Sequence, residues 1–224
     1  MNHSSKKYTE QIARSHQKNQ VDFRLIVITS GKLAGNELVK QITALSAAGV
    51  KAIQLREKNI PAGDLRLIAK SFINKIGKSD TKLIVNERLD IAILAGANGI
   101  HSASNGIENM YIRKFAPGVL SGRSVHSVSE AVKAERDGFD YILFGPIFRT
   151  PAKVKYGKPQ GLKKLVEVCS SVKIPIFAVG GINQRRIKKC LNAGAYGVAA
   201  IREFAVTKNI NKTAKEFRKE LGSL

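Results

Sequence analysis

His126 stands among short polar residues in LSGRSVHSVSEA, residues 120–131, where an apolar run meets what reads as a helix. It is one of four histidines in the chain. Imidazole titrates near neutral pH, so one ring can take a proton from one atom and return it to another. Other side chains able to bind or polarise a substrate also follow apolar runs: Gln54, Arg56, Glu57 and Lys58; Asn86, Glu87 and Arg88; His101; Ser124; Thr150 and Lys153. The run ending in VGGI, residues 179–182, opens directly into a helical pattern. Backbone N–H groups at such a junction can hold an anion, and glycines let it come close. Gly180 and Gly181, with Ile201 and Arg202 at the end of the next run, are therefore the candidate phosphate site.

These positions need a scaffold that brings many strand ends together. From Phe23 onward short β-branched runs alternate with helical periods. RLIVITS is followed by a helix over 36–48, KAIQLRE by one over 61–76, KLIVNE by RLDIAILAG, and GANGIHS by a helix over 109–115. VLSGRSV precedes a helix to Arg136, DYILFGPI precedes LKKLVEVCSSV, and IPIFAVGGI precedes NQRRIKKCLNAG. AYGVAAIRE then leads into one closing helix. Runs of four to six apolar residues suit parallel strands buried on both faces. SAAGVKAIQL, LAGANGIHS, AERDGFDYILF and LNAGAYGVAA share one order: helix end, glycine, strand. Glycine closes a helix cheaply because it accepts the left-handed conformation. Eight such units predict a single-domain α/β fold, a (β/α)8 TIM barrel, with function at the C-terminal ends of the strands and phosphate beside strands seven and eight. A doubly wound open sheet fits less well, because TSGKLAG is not the glycine-rich dinucleotide turn.

The net charge of +21 is large, but the 38 Lys and Arg residues are spread over many segments without aromatic interleaving. An anionic substrate accounts for it, and nucleic acid is not the expected partner. Residues 1–22 are polar, lack the apolar stretch of a secretory signal, and read as a disordered extension, leaving 23–224 as the barrel. No apolar run approaches a membrane span. Cys169 and Cys190 fall in helices without metal-ligand spacing, which reads as two reduced packing thiols and a cytoplasmic location. Barrels of this size often pair, so a homodimer is the assembly to test.

QLREK, LIVNERLDIA, GANGIH, FGPIFRTPAKVKYGKPQGL, FAVGGIN and AGAYGVAAI resemble segments of the thiamine-phosphate synthase family, which includes the TenI-type thiazole tautomerases. The resemblance spans nearly the whole chain after residue 23. Two activities follow from it. A synthase joins hydroxymethylpyrimidine diphosphate to thiazole phosphate and releases pyrophosphate, with Mg²⁺ neutralising the leaving group. A tautomerase needs no cofactor and aromatises a carboxythiazole phosphate by a proton shift. The resemblance assigns Gln54, Arg56, Lys58, Asn86, Ser124, Thr150 and Lys153 to substrate binding, and His126 to the tautomerase's catalytic position.

The sequence departs from the synthase pattern at the metal. Synthases carry Asp directly after the Asn and a second Asp five residues past the strand-four His; here Glu87 and Gly106 stand there. Glu87 could still bind Mg²⁺ through a longer arm, and Glu108 is the other carboxylate near Gly106. GRSVHS resembles the TenI version of this strand end more than the synthase version, so a TenI-like tautomerase is the leading expectation and the synthase the alternative. A non-catalytic phosphate-binding or regulatory barrel is the third. His101 reads as a packing or backbone-bonding residue, and strand alternation turns Arg123 away from the mouth.

Overall fold

A computed structural model describes residues 21–77, 79–150 and 158–222. Eight parallel strands close into a barrel in sequence order. They are β1 (Leu25–Ile28), β2 (Ala52–Leu55), β3 (Lys82–Asn86), β4 (Gly99–Ser102), β5 (Leu120–Val125), β6 (Tyr141–Phe144), β7 (Ile176–Val179) and β8 (Gly197–Ala200). Around them run α1 (Gly35–Ala47), α2 (Ala62–Ile76), α3 (Leu89–Ala95), α4 (Asn109–Phe115), α5 (Val128–Arg136), α6 (Gly161–Ser171), α7 (Gln184–Asn192), α8 (Arg202–Val206) and α9 (Ile210–Leu221). Among the described residues, no helix is long and apolar enough to cross a membrane.

Strand alternation divides the core in two. Side chains such as Leu25, Val27, Ile53, Leu83, Val85 and Ile142 face outward and pack under the helices. Ile26, Ile28, Ala52, Ile84, Tyr141, Leu143, Phe177 and Ala199 face inward and fill the barrel. In the four helix–glycine–strand repeats, Gly49, Gly96, Gly138 and Gly194 all take the left-handed conformation that their positions predict, with φ of +76°, +71°, +81° and +94°.

Three boundaries differ from the sequence expectation. Val21 and Asp22 belong to the folded body: Val21 is buried in the inner cluster, Tyr196 Oη donates to its carbonyl at 2.8 Å, and Asp22 lies 3.4 Å from Lys82 Nζ. The last strand stops at Ala200, and the closing helix is two helices, α8 and α9. Residues 1–20 and Lys153 lie outside the described residues. Cys169 and Cys190 are free, and burial pushes both thiols up to about 11, which keeps them protonated and suits a packing role.

Tyr141 is the plug beneath the mouth. Its ring is fully buried, 5.6 Å from the Phe177 ring and 6.3 Å from the Phe23 ring, both edge-on. It lies over Gly122, its register partner on β5, where an added Cβ would meet Tyr141 Cζ at 2.1 Å. Gly122→Ala should therefore cost about 1–3 kcal/mol or more through overpacking. Shrinking the ring in Gly122→Ala with Tyr141→Leu should recover part of that loss beyond the sum of the single effects, read by urea unfolding of all three variants.

Candidate functional site

The inward positions at the C-terminal ends of β2 to β5 carry Gln54, Asn86, His101 and Ser124. Gln54 Nε2 donates to Asn86 Oδ1 at 2.9 Å, and Asn86 Nδ2 donates to Glu87 Oε2 at 3.3 Å. Gln54 Oε1 is buried and has no hydrogen-bond partner. A buried acceptor left unpaired costs roughly 1–3 kcal/mol, so a donor from a bound molecule is favoured there. Glu87 holds a left-handed φ of +59°, rare for a residue with a side chain, and its own N–H donates to the His101 carbonyl at 2.9 Å.

His101 is fully buried between two hydroxyls. Its Nδ1 lies 3.3 Å from Tyr141 Oη and its Nε2 2.9 Å from Ser124 Oγ. Burial and then the nearby Arg123 charge push its imidazole down to about 3, so the ring is neutral. Burial also raises the Tyr141 phenol, which keeps its proton. That buried O–H must donate, and His101 Nδ1 is its partner. Nε2 therefore bears the ring proton and donates to Ser124 Oγ, which leaves the serine proton for the mouth. His101 thus bonds side chains rather than backbone, and its contribution to the site was not visible in its neighbours along the chain.

His126 lies just beyond β5 and is exposed. Its Nδ1 is 2.7 Å from the Gly145 carbonyl, which can only accept, so Nδ1 carries the proton. Nε2 is then an acceptor with no partner among the described residues when the ring is neutral. Its backbone N–H donates to Glu130 Oε2 at 2.8 Å, while Ser127 caps α5 by accepting from Glu130 N. The ring and backbone of His126 are therefore both fixed, although the helix cap itself is Ser127.

Gly180 and Gly181 are pinned under the loop after β6. Phe148 N donates to the Gly180 carbonyl at 3.0 Å, and the Arg186 guanidinium stacks 4.6 Å from the Phe148 ring centre. A Cβ at Gly180 would meet Pro146 Cβ at 2.5 Å, and one at Gly181 would meet the Arg149 carbonyl at 2.9 Å. Both have positive φ, so only glycine fits this close turn. Their N–H groups have no acceptor among the described residues. In the same loop Asn183 Oδ1 is buried without a partner. Ile201 lies at the N-cap of α8, half-buried against the inner cluster. Arg202 starts that helix and is exposed, not part of a strand as its sequence position suggests.

Arg56 is half-buried and Lys58 exposed, and neither side chain has a partner among the described residues. Thr150 is half-buried; Lys153 cannot be placed with them. Glu57 is buried and turns toward the loop after β1, accepting from Gly31 N at 3.2 Å.

The residues present do not fit a divalent ion held by carboxylates from both the β3 and the β4 loops. Glu87 supplies one carboxylate. Gly106 supplies none, and a Cβ there would meet Ser102 Oγ at 2.7 Å and Ala103 N at 2.9 Å. Glu108 is exposed at the N-cap of α4. Among the described residues, no group of three or more His, Cys, Asp or Glu side chains could hold a metal.

The family model described as Thiamine monophosphate synthase matches residues 25–204. The chain is 39% identical over 184 residues to a putative thiamine-phosphate synthase of Geobacter sulfurreducens, covering 81% of this chain and 86% of that protein. It is 34% identical over 199 residues to the thiamine-phosphate synthase of Chloroflexus aurantiacus, covering 88% and 92%. Among solved structures, the thiamine phosphate pyrophosphorylase from Pyrococcus furiosus superposes with a TM-score of 0.80 at 31% identity, covering 89% of this chain and 96% of that one.

The buried imidazole has a pH consequence. Unfolded, His101 takes a proton near its ordinary 6.5; folded, it does so only near 3. Between those limits the unfolded state binds the extra proton. Stability should therefore fall as pH drops through that window, by on the order of 1.4 kcal/mol per unit from this residue, and should not depend on it above pH 6.5. Urea unfolding at pH 7, 6 and 5 should show a shallower slope in His101→Gln than in the native chain.

Proposed function

The chain belongs to the thiamine-phosphate synthase family, and from that membership we propose that it couples hydroxymethylpyrimidine diphosphate to thiazole phosphate in thiamine biosynthesis. The observation that carries this is the orphaned Gln54 Oε1. The pyrimidine bears an amino group that can donate to it; a thiazole phosphate has no N–H donor to offer. The relatives named as synthases at 34% identity favour the same chemistry over the proton shift.

In this reaction the C–O bond from the pyrimidine methylene to the diphosphate breaks, and the thiazole nitrogen's lone pair forms the new C–N bond. Pyrophosphate leaves with the electron pair. The chain's part is to bind, orient and absorb charge. Gln54, fixed by Asn86, takes the pyrimidine. Ser124, oriented by His101, donates to a substrate oxygen. Arg56 and Lys58, with Thr150 and Lys153, meet the diphosphate. The N–H groups of Gly180 and Gly181, beside Ile201, hold the thiazole phosphate at the far side of the mouth. Positive charge at the leaving oxygens lowers the barrier because that is where negative charge develops. A magnesium ion would add to this charge when carried in by the diphosphate itself, but this chain lacks the carboxylates to hold one between its loops.

Thiazole tautomerisation is the second reading, and one observation favours it. His126 Nε2 has no partner among the described residues, on a ring locked by Gly145, which is what a proton shuttle at carbon needs.

Purified protein given both substrates should form thiamine phosphate. Gln54→Leu should raise KM for the pyrimidine diphosphate about 5- to 30-fold, the loss of about one or two kcal/mol of binding to a buried acceptor, with kcat less affected. His126→Ala should keep coupling within a few fold. Absence of coupling, together with aromatisation of the carboxythiazole phosphate that His126→Ala abolishes, would replace this assignment with the tautomerase. Absence of both would leave a binding protein on the same barrel.

A further inference from the structure

Gly106, one of the two positions at which this chain departs from the synthase metal pattern, is in contact with Arg123 of the TenI-like GRSVHS segment. Arg123 sits on β5 with its side chain outside the barrel, 5.4 Å from the Phe139 ring centre. Its Nη1 donates to the Gly106 carbonyl at 3.3 Å, to the Ile107 carbonyl at 3.0 Å and to Ser102 Oγ at 3.4 Å. Its Nη2 donates to the Ser104 carbonyl at 2.6 Å. Three backbone carbonyls of one loop thus converge on a single permanent cation. Ser102 Oγ also donates to Ile107 O at 2.7 Å, and Gly106 N to Ala103 O at 2.9 Å, so the loop is closed on itself around the guanidinium. The room a Cβ at position 106 would need is taken by Ser102 Oγ and Ala103 N, the groups at the base of this same turn.

We infer that Arg123 and Gly106 form one coupled replacement: the guanidinium holds the loop after β4 in place, and the chain binds its phosphorylated substrate without a divalent cation bridging the β3 and β4 loops. The chemistry is direct. A metal bridging two loops does two things: it adds positive charge, and it ties the loops together. Arg123 supplies the tie from beneath, with a cation that cannot dissociate and is never deprotonated. Its charge is spent on carbonyls rather than on substrate, which makes Arg123 a positioning residue. Charge toward the substrate is left to Arg56 and Lys58, which have no partners of their own among the described residues. Glu87, with no second carboxylate opposite, is then an acceptor for Asn86 Nδ2 and not half of a metal site.

The inference depends on the function proposed above only for the identity of the ligand, so its first two tests use no turnover. Titration of the full chain with MnCl2, followed by the electron paramagnetic resonance signal of the free ion, should show no stoichiometric uptake tighter than about 100 μM, the weak end for oxygen-ligand cation sites. Stoichiometric uptake below that value that disappears in Glu87→Gln would overturn the inference. In Arg123→Val, amide hydrogen exchange across residues 103–108 should accelerate about tenfold or more while exchange in β1 and β2 stays unchanged, as expected for a local opening. Unchanged exchange in that loop would equally overturn it. A third test separates positioning from bulk stability. Arg123→Val should raise KM for the phosphorylated substrate in EDTA-treated enzyme, and Arg123→Lys, with one point charge for three carbonyls, should recover only part of the loss. Native enzyme that binds the pyrimidine diphosphate only with added Mg²⁺, and loses that binding in Glu87→Gln, measured by calorimetry, would sink the replacement.

Discussion

Strands of four to six residues closed into an eight-stranded barrel leave an interior just wide enough for side chains, and here one ring sets how that space is used. Tyr141 fills the level below the mouth only because Gly122 beside it has no side chain. The ring closes the barrel against Phe23 and Phe177, and its hydroxyl is the one polar atom it sends upward. That hydroxyl must donate, His101 is what it reaches, and the imidazole hands its own proton to Ser124. The orientation of a hydroxyl in the mouth is thus settled by a packing decision one level down. Burial makes this chain of bonds stiff, because a neutral ring with both nitrogens engaged has no alternative partner.

The same economy explains what could be seen from the sequence alone. The helix–glycine–strand order, repeated four times, is local chemistry: a left-handed residue ends a helix wherever it falls, so the barrel was legible without any knowledge of contacts. Strand alternation is equally local, and it turned Arg123 outward and put Ser124 on the mouth side. What the sequence did not show depends on partners far along the chain. His101 looked like filler because Tyr141, 40 residues on, decides its tautomer. Arg202 looked like a strand end, but β8 stops at Ala200 once Ile201 turns into a short helix. Gly106 looked like a simple loss, and the guanidinium that occupies its loop comes from the next strand, 17 residues later.

The phosphate end follows a different rule, close approach rather than buried hydrogen bonds. Gly180 and Gly181 lie so tightly under Pro146, Phe148 and Arg149 that a side chain at either would collide, which binds the loops after β6 and β7 into one wall. Two consecutive glycines in left-handed φ leave successive N–H groups without acceptors among the described residues, the arrangement that holds an oxyanion by main chain alone. His126, through Gly145, is anchored to that wall as well. The mouth is therefore two halves, a polar half built on β2 to β5 and a main-chain half built on β6 to β8.

Charge is what joins them. The pyrimidine diphosphate proposed as substrate would bring several negative charges into a mouth where, among the described residues, Arg56 and Lys58 are cations without partners, on a chain of net charge +21. Removing a carboxylate at position 106 deletes a repulsion toward that anion as surely as it deletes a metal ligand. Placing Arg123 behind the loop adds a positive field without adding a competitor for the substrate's own oxygens. Both changes shift the mouth in one electrostatic direction, and their contact in space lets a side chain of β5 order the loop after β4.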